Sequence, residues 1–223
     1  MHEANPFETH YMEYDRWFDE NANLYQAELL AVRAVLPPNG KWVEIGVGSG
    51  RFASELGIPV GIEPAERIAT LARARGVRVI RGRAEALPLE DESVDAVFLI
   101  TTLCFIDDAD RAFQEAARVL RCRGHAVVAF IPSDSAFGRL YRAEAAGDRF
   151  FRRAILRTKQ EVYDALHRAG LNIECRVQTL TGSPSEAGVG VEKPTEGDDV
   201  GSFVVVRARK ISFPTTNGGE PGS

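Results

Sequence analysis

VEIGVGSGRF, residues 43–52, sets glycines at 46, 48 and 50 directly behind a run of β-forming residues. A strand that breaks into alternate glycines reads as the first β–α turn of an open α/β sheet. Glycine accepts positive φ freely and lets a ligand lie against the backbone with no Cβ between them. The glycines alone leave a plain tight turn and a pyrophosphate loop both open, since GSGRFA from Gly48 fits the dinucleotide form GxGxxA. Glu44 discriminates between cofactors: a carboxylate beside the loop can face a cationic amino group but repels a pyrophosphate. An ammonium-bearing cofactor is favoured.

Outward from this loop, strand-like and helix-like segments alternate, the pattern of a largely parallel sheet covered on both faces. Strands are expected at Trp42–Val47, Ile58–Glu63, Val77–Arg81 and Val94–Ile100. The last of these, VDAVFLI, is continuously apolar and therefore central. HAVVAFI, residues 125–131, follows as the fifth strand, and Ile173–Leu180 and Phe203–Lys210 form a closing pair with antiparallel character. Helices fall between them at 49–56, 65–75 and 110–120, and a further one opens on the capping box TKQE at Thr158–Glu161. The predicted fold is a Rossmann-like, doubly wound α/β sheet of seven strands, mostly parallel with an antiparallel last strand, and helices on both faces. Glu63 ends the second strand, where its two oxygens suit a pair of ribose hydroxyls.

With 223 residues, 44% apolar and 26% charged, the chain supports one full-sized core. Its formal net charge of -5 argues against a general nucleic-acid binder. MHEANPFETH carries neither a basic nor an apolar leader region, and no apolar run reaches membrane length, so a soluble, cytoplasmic protein is expected, without a membrane partner. Cys104, Cys122 and Cys175 lie far apart in sequence, which gives neither a disulfide framework nor a metal-ligand spacing. No metal is expected, and the oligomeric state is not legible.

Three regions follow. Residues 1–36 hold Tyr11, Tyr14, Trp17 and Phe18, an aromatic density that reads either as a lid over the site or as a helix packed on the sheet edge. Asn23–Leu36 reads as an ordinary amphipathic helix ended by Pro37. Residues 37–210 form the cofactor-binding domain, and 211–223 form a tail too polar to order itself.

GVGSG, GIEP, AEALPL, the buried strand and ARVLRCRG, in that order and spacing from Lys41 to Ile131, resemble the class I S-adenosylmethionine-dependent methyltransferases. YDRWF, TTLCFIDD, QTL and GSFVVV further resemble a small subgroup whose members are described as related to histamine N-methyltransferase. The resemblance implies S-adenosyl-L-methionine as cofactor, with Glu44, Gly46, Gly48 and Gly50 at its methionine half. It likewise implies Glu63 at the ribose and Ala84 and Glu85 along the adenine edge. Two departures stand out. Arg83, a donor-only side chain, occupies the place where the family often has an adenine-accepting Asp. Cys122-Arg123-Gly124 replaces the usual Pro-Gly-Gly turn, leaving Gly124 to supply one positive φ.

Thr101, Thr102, Cys104 and Phe105 follow the fourth strand at its carboxyl edge and, with Tyr11, Tyr14 and Trp17, are the candidate acceptor wall. Cys104 reads as a small buried residue rather than a reactive thiol. No His or Lys stands at a strand end, so no general base is named. The acceptor is expected to be a small molecule. Six arginines between Arg139 and Arg157, against Glu144 and Asp148, read either as an anion-recognising insertion or as a solvated helix face. A non-catalytic cofactor-binding regulator and a nicotinamide-dependent oxidoreductase are the alternative functions.

Overall fold

The computed structural model describes residues 5–185 and 188–211. The tail expected to be disordered lies outside these, apart from Ile211 at its start. Helices α1 (Pro6–Thr9), α2 (Tyr11–Glu20) and α3 (Ala22–Arg33) precede strand β1 (Trp42–Ile45). Then follow α4 (Arg51–Leu56), β2 (Val60–Glu63), α5 (Glu66–Ala74), β3 (Arg78–Arg81) and β4 (Val94–Ile100). The second half runs α6 (Ala109–Val119), β5 (Leu120–Phe130), α7 (Ala136–Glu144), α8 (Lys159–Arg168), β6 (Leu171–Thr179), β7 (Thr195–Glu196) and β8 (Phe203–Lys210).

The strands form one eight-stranded sheet in the order β3-β2-β1-β4-β5-β8-β6-β7. Strands β1 to β5 pair parallel, and β8 inserts antiparallel to both β5 and β6. This extends the seven-stranded expectation by β7, two residues paired with β6. The chain's last strand is therefore internal to the sheet. β4 is central as expected, and its pleat divides the core. Val97 and Leu99 pack with α6 and α8 on one face, while Ala96, Phe98 and Ile100 pack with α3, α4 and α7 on the other. A fully buried phenylalanine such as Phe98 contributes ~2–3 kcal/mol by removal from water.

Two local expectations change. β5 starts at Leu120, straight out of α6, rather than at His125. In the turn within it, Arg123 takes the positive φ, 66°, and Gly124 does not. Gly124 serves close approach instead: a Cβ there would lie 3.0 Å from the carbonyl oxygens of Arg121 and Asp95. The N-terminal segment also divides. Leu29, Ala31 and Val32 of α3 are fully buried core, so only α1 and α2 lie over the carboxyl edge of the sheet. No helix among the described residues is long and apolar enough to cross a membrane.

Candidate functional site

Beyond β1 the chain turns through Gly46, Gly48 and Gly50, all at positive φ. At Gly46 the need for glycine is steric as well, because a Cβ would stand 2.0 Å from Thr102 Oγ1. At Gly48 a Cβ would meet nothing closer than Ile68 Cδ1 at 3.8 Å, so that face of the loop is open. The Gly48 N–H donates to Glu63 Oε2 at 3.0 Å and the Ala65 N–H to Oε1 at 2.9 Å, which fixes the carboxylate at the end of β2. Burial raises the pKa of Glu63, and these two amides oppose the rise. Each of its oxygens retains acceptor capacity for a second partner.

Gly46, Gly48, Glu63, Ala84, Glu85, Thr101, Thr102 and Phe105 together wall a cleft of 370 Å³ at the carboxyl edge. Glu44 lies beneath the loop rather than on this wall. It is 2% exposed, and its Oε2 has no hydrogen-bond partner. Burial first, then the nearby Glu63, raises its pKa well above the carboxylate range. Gly50 is also off the wall: it caps α4, packed against Ala72. Arg83 sits on the rim beside Glu85 and Asp107, at 3.5 Å from each.

A second cavity of 510 Å³ adjoins the first, and the two share Tyr14, Thr101, Phe105, Arg149 and Phe150. Trp17 and Cys104 line only this second chamber and Thr102 only the cleft. Tyr11, predicted alongside them, reaches neither; it lies under the Arg67 guanidinium, 5.8 Å from the ring centroid. Burial pushes the Cys104 thiol up to about 12, so it is no thiolate at neutral pH. Thr101 holds φ at 52°, a conformation that costs a β-branched residue on the order of 1–3 kcal/mol. Its N–H is pinned to the Ala129 carbonyl at 2.9 Å. That bond holds the strained residue at the junction of the two cavities.

Residues that sequence reasoning passed over complete the walls. Phe7 meets Tyr14, Phe105 and Phe150 with ring centroids 5.1, 4.9 and 5.7 Å apart, and Phe151 stacks on Tyr141 at 4.9 Å. The Asp148 carboxylate accepts the N–H groups of Phe150 and Phe151 at 2.6 and 2.7 Å, which sets these rings in place. Most arginines of the basic segment have structural partners. Arg157 donates to the carbonyls of Leu103 and Ile106 at 2.7 Å, Arg149 pairs with Glu13 at 3.0 Å, and Arg139 donates to the Asp134 carbonyl. Arg152 and Arg153 border the cleft, not the chamber.

Helices α1 and α2 are tied down by charge. Asp15 accepts from Arg51 Nε at 2.8 Å and from Arg75 Nη2 at 2.8 Å, and Asp19 accepts from Arg51 Nη1 at 2.7 Å. Burial would raise the pKa of Asp15, but Arg51, Arg75 and Ser49 outweigh it and hold the carboxyl at about 2. At the other end, the Glu8 carboxylate caps α5 by accepting from the N–H groups of Glu66 and Arg67 at 2.6 and 3.1 Å.

Residues 43–128 match the methyltransferase domain family. A Thermotoga maritima structure of an S-adenosylmethionine-dependent methyltransferase, described as a possible histamine N-methyltransferase, is 44% identical. It superposes with a TM-score of 0.87 over 92% of this chain and 97% of its own. The chain belongs to the class I S-adenosylmethionine-dependent methyltransferases. An uncharacterised protein of Methanocaldococcus jannaschii is 33% identical over 93% of this chain and 100% of its own length. The malonyl-[acyl-carrier protein] O-methyltransferase of Methylococcus capsulatus is 35% identical over 52% of this chain and 44% of its own, a likeness confined to part of each protein. Membership overturns the nicotinamide alternative. The family's cofactor also fits what the site offers: an orphaned buried acceptor at Glu44, a glycine cradle open at Gly48 and a fixed carboxylate at Glu63.

Proposed function

We propose that the chain transfers a methyl group from S-adenosyl-L-methionine to a small-molecule acceptor held in the aromatic chamber. The observation that carries this reading is the junction: Tyr14, Thr101 and Phe105 wall both the glycine-loop cleft and the aromatic chamber beside it. In this reading Gly46 and Gly48 hold the methionine end of the cofactor, with Glu44 buried beneath the loop that carries them. Glu63 holds the ribose, and Ala84 and Glu85 lie along the adenine. Glu85 and Asp107 supply acceptor oxygens on a wall where Arg83 supplies only donors. When bound, the sulfonium supplies an already activated methyl.

The protein's own work is then positional. Tyr14 and Thr101 orient the acceptor against the cleft, and the rings of Phe7, Phe105 and Phe150 exclude water from the junction. α1 and α2 close the site from outside through Glu8, Asp15 and Asp19. Calorimetric titration with S-adenosylhomocysteine, followed by a methyl-transfer screen against small-molecule acceptors, tests the proposal. Sub-millimolar binding with turnover is expected. Binding without any turnover across acceptor classes favours a regulator, and absence of binding refutes the reading.

A further inference from the structure

Glu28 is the one buried carboxyl at the site that methyl transfer as described leaves unused. It lies on the core-facing stripe of α3 with Tyr25, Leu29 and Val32, is 4% exposed and lines the chamber. It makes no hydrogen bond or ion pair with any described residue, and burial alone acts on its pKa. An isolated carboxyl withdrawn from water is costly unless something completes it. Around it, Tyr14 of α2 and Tyr141 of α7 stand within electrostatic reach, and the rings of Trp17 and Phe18 add apolar faces.

The chamber's charge points to what completes it. Besides Glu28, the walls carry Glu13 and Glu20 from α2, Glu144 from α7 and Asp148 from the segment beyond. Against these stand Arg149 and Arg157, the first paired with Glu13 and the second spent on the carbonyls of Leu103 and Ile106. Cys104, the remaining titratable wall residue, is neutral. Acid excess plus aromatic faces complements a cation and repels an anion. Of the two readings of the basic segment, the chamber therefore disfavours the anionic acceptor.

On the reading that the chain is a methyltransferase, we propose that Glu28 is its catalytic base and the determinant of its acceptor class, which is a small primary or secondary amine. The amine enters as its ammonium, is held by the Glu28 carboxylate and the surrounding rings, and gives its proton to Glu28. The freed lone pair then forms the N–CH₃ bond as the S–CH₃ bond breaks. The bonding pair stays on sulfur, giving the neutral thioether S-adenosylhomocysteine. The methylated nitrogen carries the positive charge away, and the proton on Glu28 passes to water. With nothing bound, burial pushes Glu28 up to about 8, so capture of an ammonium at pH 7 expels close to one proton.

The test is calorimetry on the full chain saturated with S-adenosylhomocysteine. The probes are arylalkylamines such as phenethylamine, their isosteric alcohols such as 2-phenylethanol, and carboxylates such as phenylacetate. Amines should bind at least roughly tenfold more tightly than either counterpart, with affinity rising from pH 6 to pH 8 and a proton released at pH 7. Glu28→Gln, which keeps the shape and removes the charge, should weaken amine binding about tenfold or more while leaving S-adenosylhomocysteine and alcohol binding unchanged. Tighter binding of alcohols or carboxylates, failure of every amine, or an unchanged amine affinity in Glu28→Gln overturns the proposal. If S-adenosylhomocysteine itself fails to bind the wild type, the methyltransferase reading falls and takes this one with it, a result visible in the cofactor titration alone.

Discussion

Glu28 also makes a prediction about stability that requires no ligand. Its ordinary pKa of 4.5 is raised to about 8 in the folded chain because burial penalises the charged form. A group with a raised folded pKa binds its proton more tightly in the native state, so wild-type stability falls as pH climbs from 4.5 to about 8 and is flat above that. That interval, at about 1.36 kcal/mol per pH unit, caps the cost at about 5 kcal/mol. Glu28→Gln carries a neutral amide at every pH and escapes this cost. For a chain of this size, 1 kcal/mol moves the melting temperature by roughly 2–4 °C. Thermal unfolding from pH 5 to pH 9 should therefore show wild type and variant melting within a few degrees of each other at pH 5, with the variant higher by up to roughly 10–20 °C at pH 8.5. A difference that does not change with pH, or a variant that melts lower at pH 8.5, refutes the reasoning.

Three further outcomes are expected. Gly46→Ala must place a methyl 2.0 Å from Thr102 Oγ1 at a φ of 72°, and should lose S-adenosylhomocysteine binding together with about 2 kcal/mol or more of stability in denaturant titration. Glu63→Ala strips the Gly48 and Ala65 amides of their acceptor, and calorimetry should show cofactor affinity reduced about 10–100-fold. Asp15→Asn should speed amide hydrogen exchange in α2 without unfolding the sheet. In the wild type the same loosening should appear on acidification: the folded pKa is depressed from 3.8 to about 2, so the latch contributes fully above 3.8 and is lost as pH falls through about 2.

What could be read from the sequence was what local backbone chemistry decides. The glycines of 46–50 and the acid closing β2 act through the chain's own turn and strand end, so their spacing alone placed them. The central place of VDAVFLI followed from its continuously apolar character. β7, at two residues, is too short to show a period, and Arg123 took the left-handed turn because Gly124 was needed against two carbonyls. The aromatic chamber escaped because four stretches far apart in sequence, 13–28, 101–105, 130–131 and 141–157, converge on it. Tyr11 shares a helical face with Tyr14 and Phe18 but begins the helix, a turn short of the cavities. Glu28 did leave a trace: a charged residue on a stripe with Tyr25, Leu29 and Val32 departs from the polar face that helical periodicity assigns to charge.

The position of Arg51 ties these parts together. It is the first residue of α4, directly after Gly50, and its guanidinium reaches across to Asp15 and Asp19 of α2. Arg75 makes the companion link, donating to the Ser49 carbonyl at 2.8 Å and to Asp15 at 2.8 Å. The glycine loop that walls the cleft is thus joined through charge-assisted bonds to the helix that carries Tyr14 and Trp17 into the aromatic chamber. Tyr14 stands within electrostatic reach of both Glu63 and Glu28, and it shares the wall of the two cavities with the strained Thr101. Any shift of the glycine loop on filling must therefore be felt by α2, and through Tyr14 by both carboxyls. Two cavities that share a wall are coupled in free energy whenever filling one stiffens that wall, and the coupling is reciprocal. The strain at Thr101 sits on that wall, where the fold holds an energetically costly backbone in place by surrounding it with ring packing, and the desolvated Glu28 stands on the chamber side alone.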